Sequence, residues 1–335
     1  MKNGNAPPQY FVDKVLISNY LQNFSLFTFR FSLINFSIKN FQLKMIPASV
    51  DYKRATSVLE ALTMLNESPD AKILAGGHSL IPAMKLRLNQ PSVLIDIARI
   101  KDLNVIKDRG KYFAIGAAAT HGAIEKHNSL KVKVPLIGKS ACQIGDVQVR
   151  NKGTIGGSIA HADPASDWPA VLIAADATIV MTSVKGERSV AAEDFFVGFF
   201  TTALKEGELV TEIQIPDPTS SATPNGWRAS YEKFSQPASR FAIVGCAVNL
   251  QMTDDGTIEQ AFVAFNGVSD HAYRAKAVEA ALVGNKLSDA LAAEASKVAT
   301  EGSAMIMGDH YADETYRAHL AQVICKRAIS ACQYD

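Results

Sequence analysis

Lys72-Ile73-Leu74-Ala75-Gly76-Gly77-His78-Ser79-Leu80-Ile81-Pro82 is a short apolar run that stops at two glycines and restarts as a helix. Ile73 to Ala75 read as the end of a buried strand, and Pro82 falls in a first helical turn, where its missing N–H would have no partner anyway. Adjacent glycines permit positive φ and remove the Cβ atoms that keep a ligand away, so successive backbone N–H groups can converge on an anion. The helix that follows turns its positive end toward the same point. A diphosphate would suit such a turn, although a plain strand-to-helix connection explains this stretch equally well when it is taken alone.

A second stretch removes that ambiguity. Arg150-Asn151-Lys152-Gly153-Thr154-Ile155-Gly156-Gly157-Ser158-Ile159-Ala160-His161-Ala162-Asp163-Pro164-Ala165-Ser166-Asp167-Trp168-Pro169 surrounds another glycine pair with hydroxyls, a histidine and carboxylates. The run is too polar for core and too rich in glycine for helix, so a ligand-lining loop between two apolar segments is expected. At these residues the chain resembles the flavin-binding medium subunits of the molybdenum hydroxylases, the group that contains aerobic carbon monoxide dehydrogenase and xanthine dehydrogenase. Ala75 to Leu88 looks like the first FAD motif of that group and Thr154 to Trp168 like the second. The carbon monoxide dehydrogenase branch is the most similar, and the likeness runs from about Met45 to the C-terminus, through Tyr231 to Gly245 and Tyr316 to Leu320.

The resemblance implies an α+β chain: a two-subdomain FAD-binding domain of the vanillyl-alcohol-oxidase (PCMH) type at 45–220, divided near 102, followed by an antiparallel-sheet and helix domain at 225–332. It implies non-covalent FAD held by Ala75, Gly76, Gly77, His78, Ser79 and Leu80 of the first motif and by Thr154, Gly157, Ser158, His161 and Asp167 of the second. Thr120, Ile144 and Lys233 complete the carried-over set. A molybdenum-bearing large subunit and a small subunit with [2Fe-2S] clusters are the implied partners, in a dimer of heterotrimers that passes electrons through FAD to an external acceptor. No catalytic acid or base and no metal ligand is expected in this chain, because electron transfer through a flavin needs neither.

Composition narrows the alternatives. A net charge of +1 over 335 residues offers no electrostatic case for nucleic acid or an anionic membrane as the main partner. The four cysteines, Cys142, Cys246, Cys325 and Cys332, have no C-x-x-C spacing, so neither zinc nor an iron–sulfur cluster is encoded here, and free thiols in a reducing compartment are expected. Without a spanning apolar run or a signal peptide, the expected location is the cytoplasm, with the complex able to lie against the inner face of a membrane. Residues 1–44, where phenylalanines alternate with Asn, Ser and Lys, differ in composition from all that follows. They are expected to be disordered or to be translated upstream sequence ahead of a genuine start at Met45, which intact-mass measurement of the native protein would refute by finding them present.

Along the body, apolar spacing predicts a helix over Ser57 to Leu65, strands at Val93 to Ile97 and Phe113 to Gly116, and helices at Val134 to Ile144 and Pro169 to Ala175. Thr120 is either a ligand contact or the N-cap of a helix. Strands at Thr178 to Met181 and Val210 to Ile215 precede a boundary between Pro216 and Asn225. Three strands follow at Trp227 to Phe234, Ala242 to Gln251 and Ile258 to Phe265, the last two joined by the Asp-Gly turn Thr253 to Gly256, which makes the sheet antiparallel. Helices at Ala275 to Val283, Ser288 to Ala299 and Asp313 to Ala331 complete the chain.

Other signatures fail. Gly138-Lys139-Ser140 ends like a P-loop but has Lys133 where the first glycine belongs, and neither glycine cluster reads G-x-G-x-x-G. His161, Asp163 and Asp167 have no further clustered ligand elsewhere, so hydrogen bonding to a polar ligand is preferred to metal binding. Lys85 and Arg87 read as solvated or partner-facing charges, and His78 also reads as a solvent-facing helix residue. Two rivals stay open: a stand-alone flavin oxidase, with His161 the obvious residue for a covalent link, and a scaffold protein that has lost its flavin.

Overall fold

The computed structural model describes residues 45–220 and 226–334; the expectation for 1–44 lies outside them, as does part of the expected boundary at 216–225. The chain opens with β1 (Asp51–Arg54), α1 (Val58–Glu67), β2 (Lys72–Leu74), α2 (Leu80–Lys85) and β3 (Val93–Asp96), a small parallel sheet in the order β1-β3-β2. Ser57 caps α1 by accepting from the Glu60 N–H at 3.1 Å, while the Glu60 carboxylate accepts from the Thr56 N–H at 2.7 Å. Leu62, Ile95, Ile97 and Ile100 fill the core beneath.

β4 (Ile106–Asp108) and β5 (Tyr112–Gly116) begin a second sheet, antiparallel and five-stranded, which β6 (Thr178–Ser183), β7 (Gly186–Ala191) and a later strand complete. Between its halves run short helices: α3 (His121–Lys126), α4 (Asn128–Lys133), α5 (Pro135–Ala141), α6 (Val147–Arg150), α7 (Ile155–His161) and α8 (Asp167–Ala174). After β7 come α9 (Ala192–Phe195), a two-stranded ribbon of β8 (Phe196–Gly198) and β9 (Thr201–Thr202), and β10 (Leu209–Pro216), which lies at the centre in the order β4-β5-β10-β6-β7. Every residue of α8 is buried. Such a helix is apolar all round because it is enclosed on all sides.

One of those sides is the third sheet, antiparallel and ordered β11 (Trp227–Ser235), β12 (Ala242–Met252), β13 (Ile258–Asn266) and β14 (Tyr273–Arg274). Along β12, Ala247 joins the core shared with α8, whereas Cys246 and Val248 join a separate core under the last helices. The strand is covered on both faces, which is why it reads as an apolar run from Ala242 to Val248. α10 (Lys276–Leu282), α11 (Asp289–Ala295) and α12 (Glu314–Ala331) follow, with Asp313 capping α12 by accepting from the Tyr316 N–H at 2.8 Å. The Asp-Gly turn forms as expected, with Gly256 at φ +81°. Among the described residues no helix is long and apolar enough to cross a membrane.

Two expectations are corrected: β2 is half-buried to exposed and not buried, and the second glycine pair lies inside helix α7 and not in an open loop. Ile155 and Ile159, both wholly buried, hold that helix against the core, and tertiary packing outweighs the low helix propensity of Gly156 and Gly157. The short strands β1 and β7 carry little periodicity and escaped the sequence reading.

Candidate functional site

β2 delivers the chain to Ala75 and Gly76, and Gly77 then adopts φ +73°, a left-handed conformation that costs glycine little. Among the described residues the backbone N–H groups of Gly77, His78 and Ser79 donate to no carbonyl or side chain of the chain. Ser79 stands at the N-cap position of α2 without making a side-chain cap bond. His78 is exposed and holds its Nδ1 3.1 Å from the Gly76 carbonyl oxygen, so that nitrogen carries the proton. Three consecutive unused donors on a turn that bends toward solvent form a nest for an anion. Leu80 and Ala75 flank it, each half-buried.

The second glycine pair uses its donors differently. The Ile155 N–H donates to the Ala119 carbonyl at 3.1 Å and the Gly156 N–H to the Ala117 carbonyl at 2.8 Å. Thr154 Oγ1 accepts the Gly157 N–H at 3.1 Å. No first-turn amide of α7 is left for a ligand, so what this segment presents is Gly157, which is exposed, and side chains. The two segments touch: a Cβ on Gly76 would collide with the Lys152 carbonyl oxygen, and a Cβ on Gly157 would lie 3.8 Å from Ala75 Cβ. Gly156 is needed for a separate reason, since a Cβ there would stand 2.6 Å from the Ala117 carbonyl oxygen.

Thr120 proves to be a helix cap, its Oγ1 accepting the Ala123 N–H at 3.2 Å, and it bridges to Thr154 across the two chain segments. Ser158 Oγ lies 2.6 Å from Ser166 Oγ. His161 is exposed with its ring 5.0 Å from that of Phe200, and desolvation lowers its pKa. Ile144 packs at the edge of the shared core, and its carbonyl accepts from Arg150 Nη1 at 3.2 Å.

Asp167 and Lys233, 66 residues apart, are brought together as a buried ion pair with an N···O distance of 3.0 Å. The Lys233 side chain is 1 % exposed and also donates to the carbonyls of Gln143 and Arg240, each at 2.9 Å. Three N–H groups meet three acceptors, so the ammonium has no donor left to offer. Tyr231 donates its hydroxyl to the other Asp167 oxygen. Burial pushes the Asp167 carboxyl up from its ordinary range, while Lys233 and Tyr231 pull it down. Lys233 thus acts on Asp167 as a positioning residue.

Sequence reasoning missed His121. Its Nδ1 accepts the Trp168 indole N–H at 2.9 Å, and a Cβ on Gly153 would meet its Nε2 at 2.7 Å. Burial holds its pKa at about 4, with further lowering from His78 and Arg150. The ring is a neutral prop behind the second segment. Its one signal in the sequence was adjacency to Thr120. Tyr231 was quoted as part of a motif but carried no role, because its acceptor lies on another domain.

The donor set fits a dinucleotide: unused amides for the diphosphate at Gly77 to Ser79, hydroxyls at Ser79, Thr154 and Ser158, and a positioned carboxylate at Asp167. Comparison with known proteins agrees. The family described as FAD binding domain in molybdopterin dehydrogenase matches residues 44–218, and the CO dehydrogenase flavoprotein C-terminal domain matches residues 229–332. The chain is 40% identical over 285 residues to the glyceraldehyde dehydrogenase medium chain of Sulfolobus acidocaldarius, covering 85% of this chain and 98% of that one. It is 37% identical over 291 residues to the carbon monoxide dehydrogenase medium chain of Hydrogenophaga pseudoflava, covering 86% and 98%. A solved structure of carbon monoxide dehydrogenase from the latter organism, lacking the Mo-pyranopterin moiety, superposes with a TM-score of 0.82 at 38% identity over 87% of this chain and 99% of that one. Quinoline 2-oxidoreductase from Pseudomonas putida 86 superposes with a TM-score of 0.80 at 31% identity over 87% and 99%.

Proposed function

The chain belongs to the FAD-binding domain family of the molybdopterin dehydrogenases, and from that membership we propose that it is the electron-transferring medium subunit of a three-part molybdenum hydroxylase. In this reading electrons arrive from [2Fe-2S] clusters of a small partner subunit and leave to an external acceptor, while a molybdenum-bearing large subunit oxidises the substrate. The observation that carries the reading is the pairing of the Gly77-to-Ser79 nest with the Gly157 segment packed against it. FAD supplies the redox chemistry when bound.

The chain's own residues bind and orient. Gly77, His78 and Ser79 would hold the diphosphate through backbone N–H groups, which needs no cation and leaves Lys85 and Arg87 outside the site. Thr154, Ser158 and Asp167 would face the sugar-like chain with polar groups whose positions are set by Gly157, Ser166, Tyr231 and Lys233. Ile144 and Thr120 shape the wall, and His161 with Phe200 shields one edge. Relatives named for glyceraldehyde, carbon monoxide and quinoline share this fold, so the substrate follows from the large subunit and the medium subunit serves any of them.

Affinity purification from the native host, followed by an absorption spectrum and elemental analysis of what copurifies, tests the proposal. Flavin bands with iron and molybdenum in a three-protein complex are expected. Flavin without metal or partner, together with turnover by the isolated chain, would overturn it in favour of a stand-alone flavoenzyme. A colourless complex would favour a scaffold.

A further inference from the structure

The last helix reaches the second flavin segment through peptide groups. Between α7 and α8 the Pro164 carbonyl accepts the Gly267 N–H at 2.7 Å, and the Ala165 carbonyl accepts the Ala242 N–H at 3.1 Å. Gly267 follows β13 and Ala242 opens β12, so the third sheet grips the segment from behind. Next to those donors lie the Ile243 and Gly267 carbonyls, and both accept from Nη1 of Arg317 on α12. Arg317 is 5% exposed, and its Nη2 pairs with Asp309 at 2.8 Å. Gly267 sits at φ +77°, where a Cβ would meet the Ile243 carbonyl oxygen at 2.5 Å, so the turn tolerates no side chain and little displacement.

We propose that Arg317 is a positioning residue for the flavin site: acting through Gly267 and Ile243, its guanidinium sets the place of residues 163–167 and hence of the Asp167 carboxylate. The inference rests on the flavin reading above. As a space-filler a buried guanidinium is costly, and among the described residues its Nε has no hydrogen-bond partner. What a hydrophobe could not do is hold at one donor the carbonyl of Ile243 on β12 and that of Gly267 just beyond β13. The guanidinium does it with a planar, rigid fork of fixed charge, where a lysine ammonium would be a compact point charge on a flexible stem. The C-terminal domain, which already holds Asp167 through Tyr231 and Lys233, thereby holds the preceding residues from α12 as well.

Amide hydrogen exchange on the full apo chain and FAD titration of the same preparations test this, comparing wild type with Arg317→Lys, Asp309→Asn and Ile324→Val. Ile324 lies on the same helix, is 1% exposed and faces the core, so its variant reports stability loss alone. R317K is expected to speed exchange in residues 163–167 and to weaken FAD binding by about tenfold, the size of one coupled interaction in a hydrogen-bond network. D309N should shift both in the same direction by less, and I324V should change neither. If R317K behaves as I324V does, the proposal is overturned. Should R317K not fold, D309N decides in its place, and unchanged exchange and affinity there overturn it too. Wild-type chain that takes up no FAD would defeat the flavin reading instead, and the exchange comparison would still decide whether Arg317 holds the segment.

Discussion

The two glycine pairs look alike on paper and do opposite things with their backbone. At Gly76-Gly77 the chain turns left-handed and leaves three amides unused, whereas at Gly156-Gly157 it continues as a helix whose first amides are all bound to Ala117, Ala119 and Thr154. In the proposed reading the first pair is the binding element, and the second is a packing element that carries side chains toward the same cofactor. Glycine is needed at Gly77 for conformation but at Gly76 and Gly156 for closeness of approach.

The sharpest break is Gly76→Ala. Its Cβ would enter the Lys152 carbonyl, a backbone group that cannot rotate aside, and denaturant unfolding should show a loss above ~4 kcal/mol with no flavin retained. Gly157→Ala, by contrast, meets no backbone, only the Thr154 hydroxyl at 2.7 Å and Ala75 Cβ at 3.8 Å, and the gain in helix propensity offsets a weakened cap to within about 1 kcal/mol. Equal damage from the two would erase the distinction.

Acid should loosen the second segment selectively. His121 has a folded pKa of about 4 against an ordinary 6.5, so the folded state binds fewer protons than the unfolded chain between those values. Its contribution is fully present above pH 6.5 and is lost as pH falls through 4; over that window stability should drop by on the order of 3 kcal/mol. His121→Asn, which keeps an acceptor for the Trp168 indole, should flatten the pH dependence in denaturant titrations. An unchanged slope would refute a buried neutral ring.

Gly77→Ala ranks third. A Cβ at φ +73° costs about 1–2 kcal/mol and turns the three amides away from a common point, so FAD affinity should fall more than stability does. The smallest effects separate the hydroxyls. Thr154→Val removes a cap worth about 1 kcal/mol and should lower Tm. Ser79→Ala removes no cap bond and should leave Tm unchanged while weakening FAD binding in a fluorescence titration.

Legibility followed the range of the interaction. The Asp-Gly turn at Gly256 closes its own hairpin and was readable in order along the chain, and the caps at Ser57, Thr120 and Asp313 act within three residues of their helix starts. The helical state of Ile155 to His161 could not, since two buried isoleucines and carbonyls from the previous strand exit override what its glycines prefer locally. Lys233 came into the expected set by resemblance alone, and its pairing could not be read locally, because the three acceptors that saturate it come from Asp167, Gln143 and Arg240.

Residue order alone pointed to the family, the α+β make-up and the two glycine segments proposed to hold the cofactor, because glycine spacing, apolar period and cap residues act over a few positions. Tertiary structure decided which amides stay free, which lysine is already satisfied, and why a histidine remains neutral. Hydrogen-bond demand and desolvation are settled by whatever lies nearby in space, and for Gly156, Asp167 and Arg317 those neighbours lie 39 to 74 residues away along the chain.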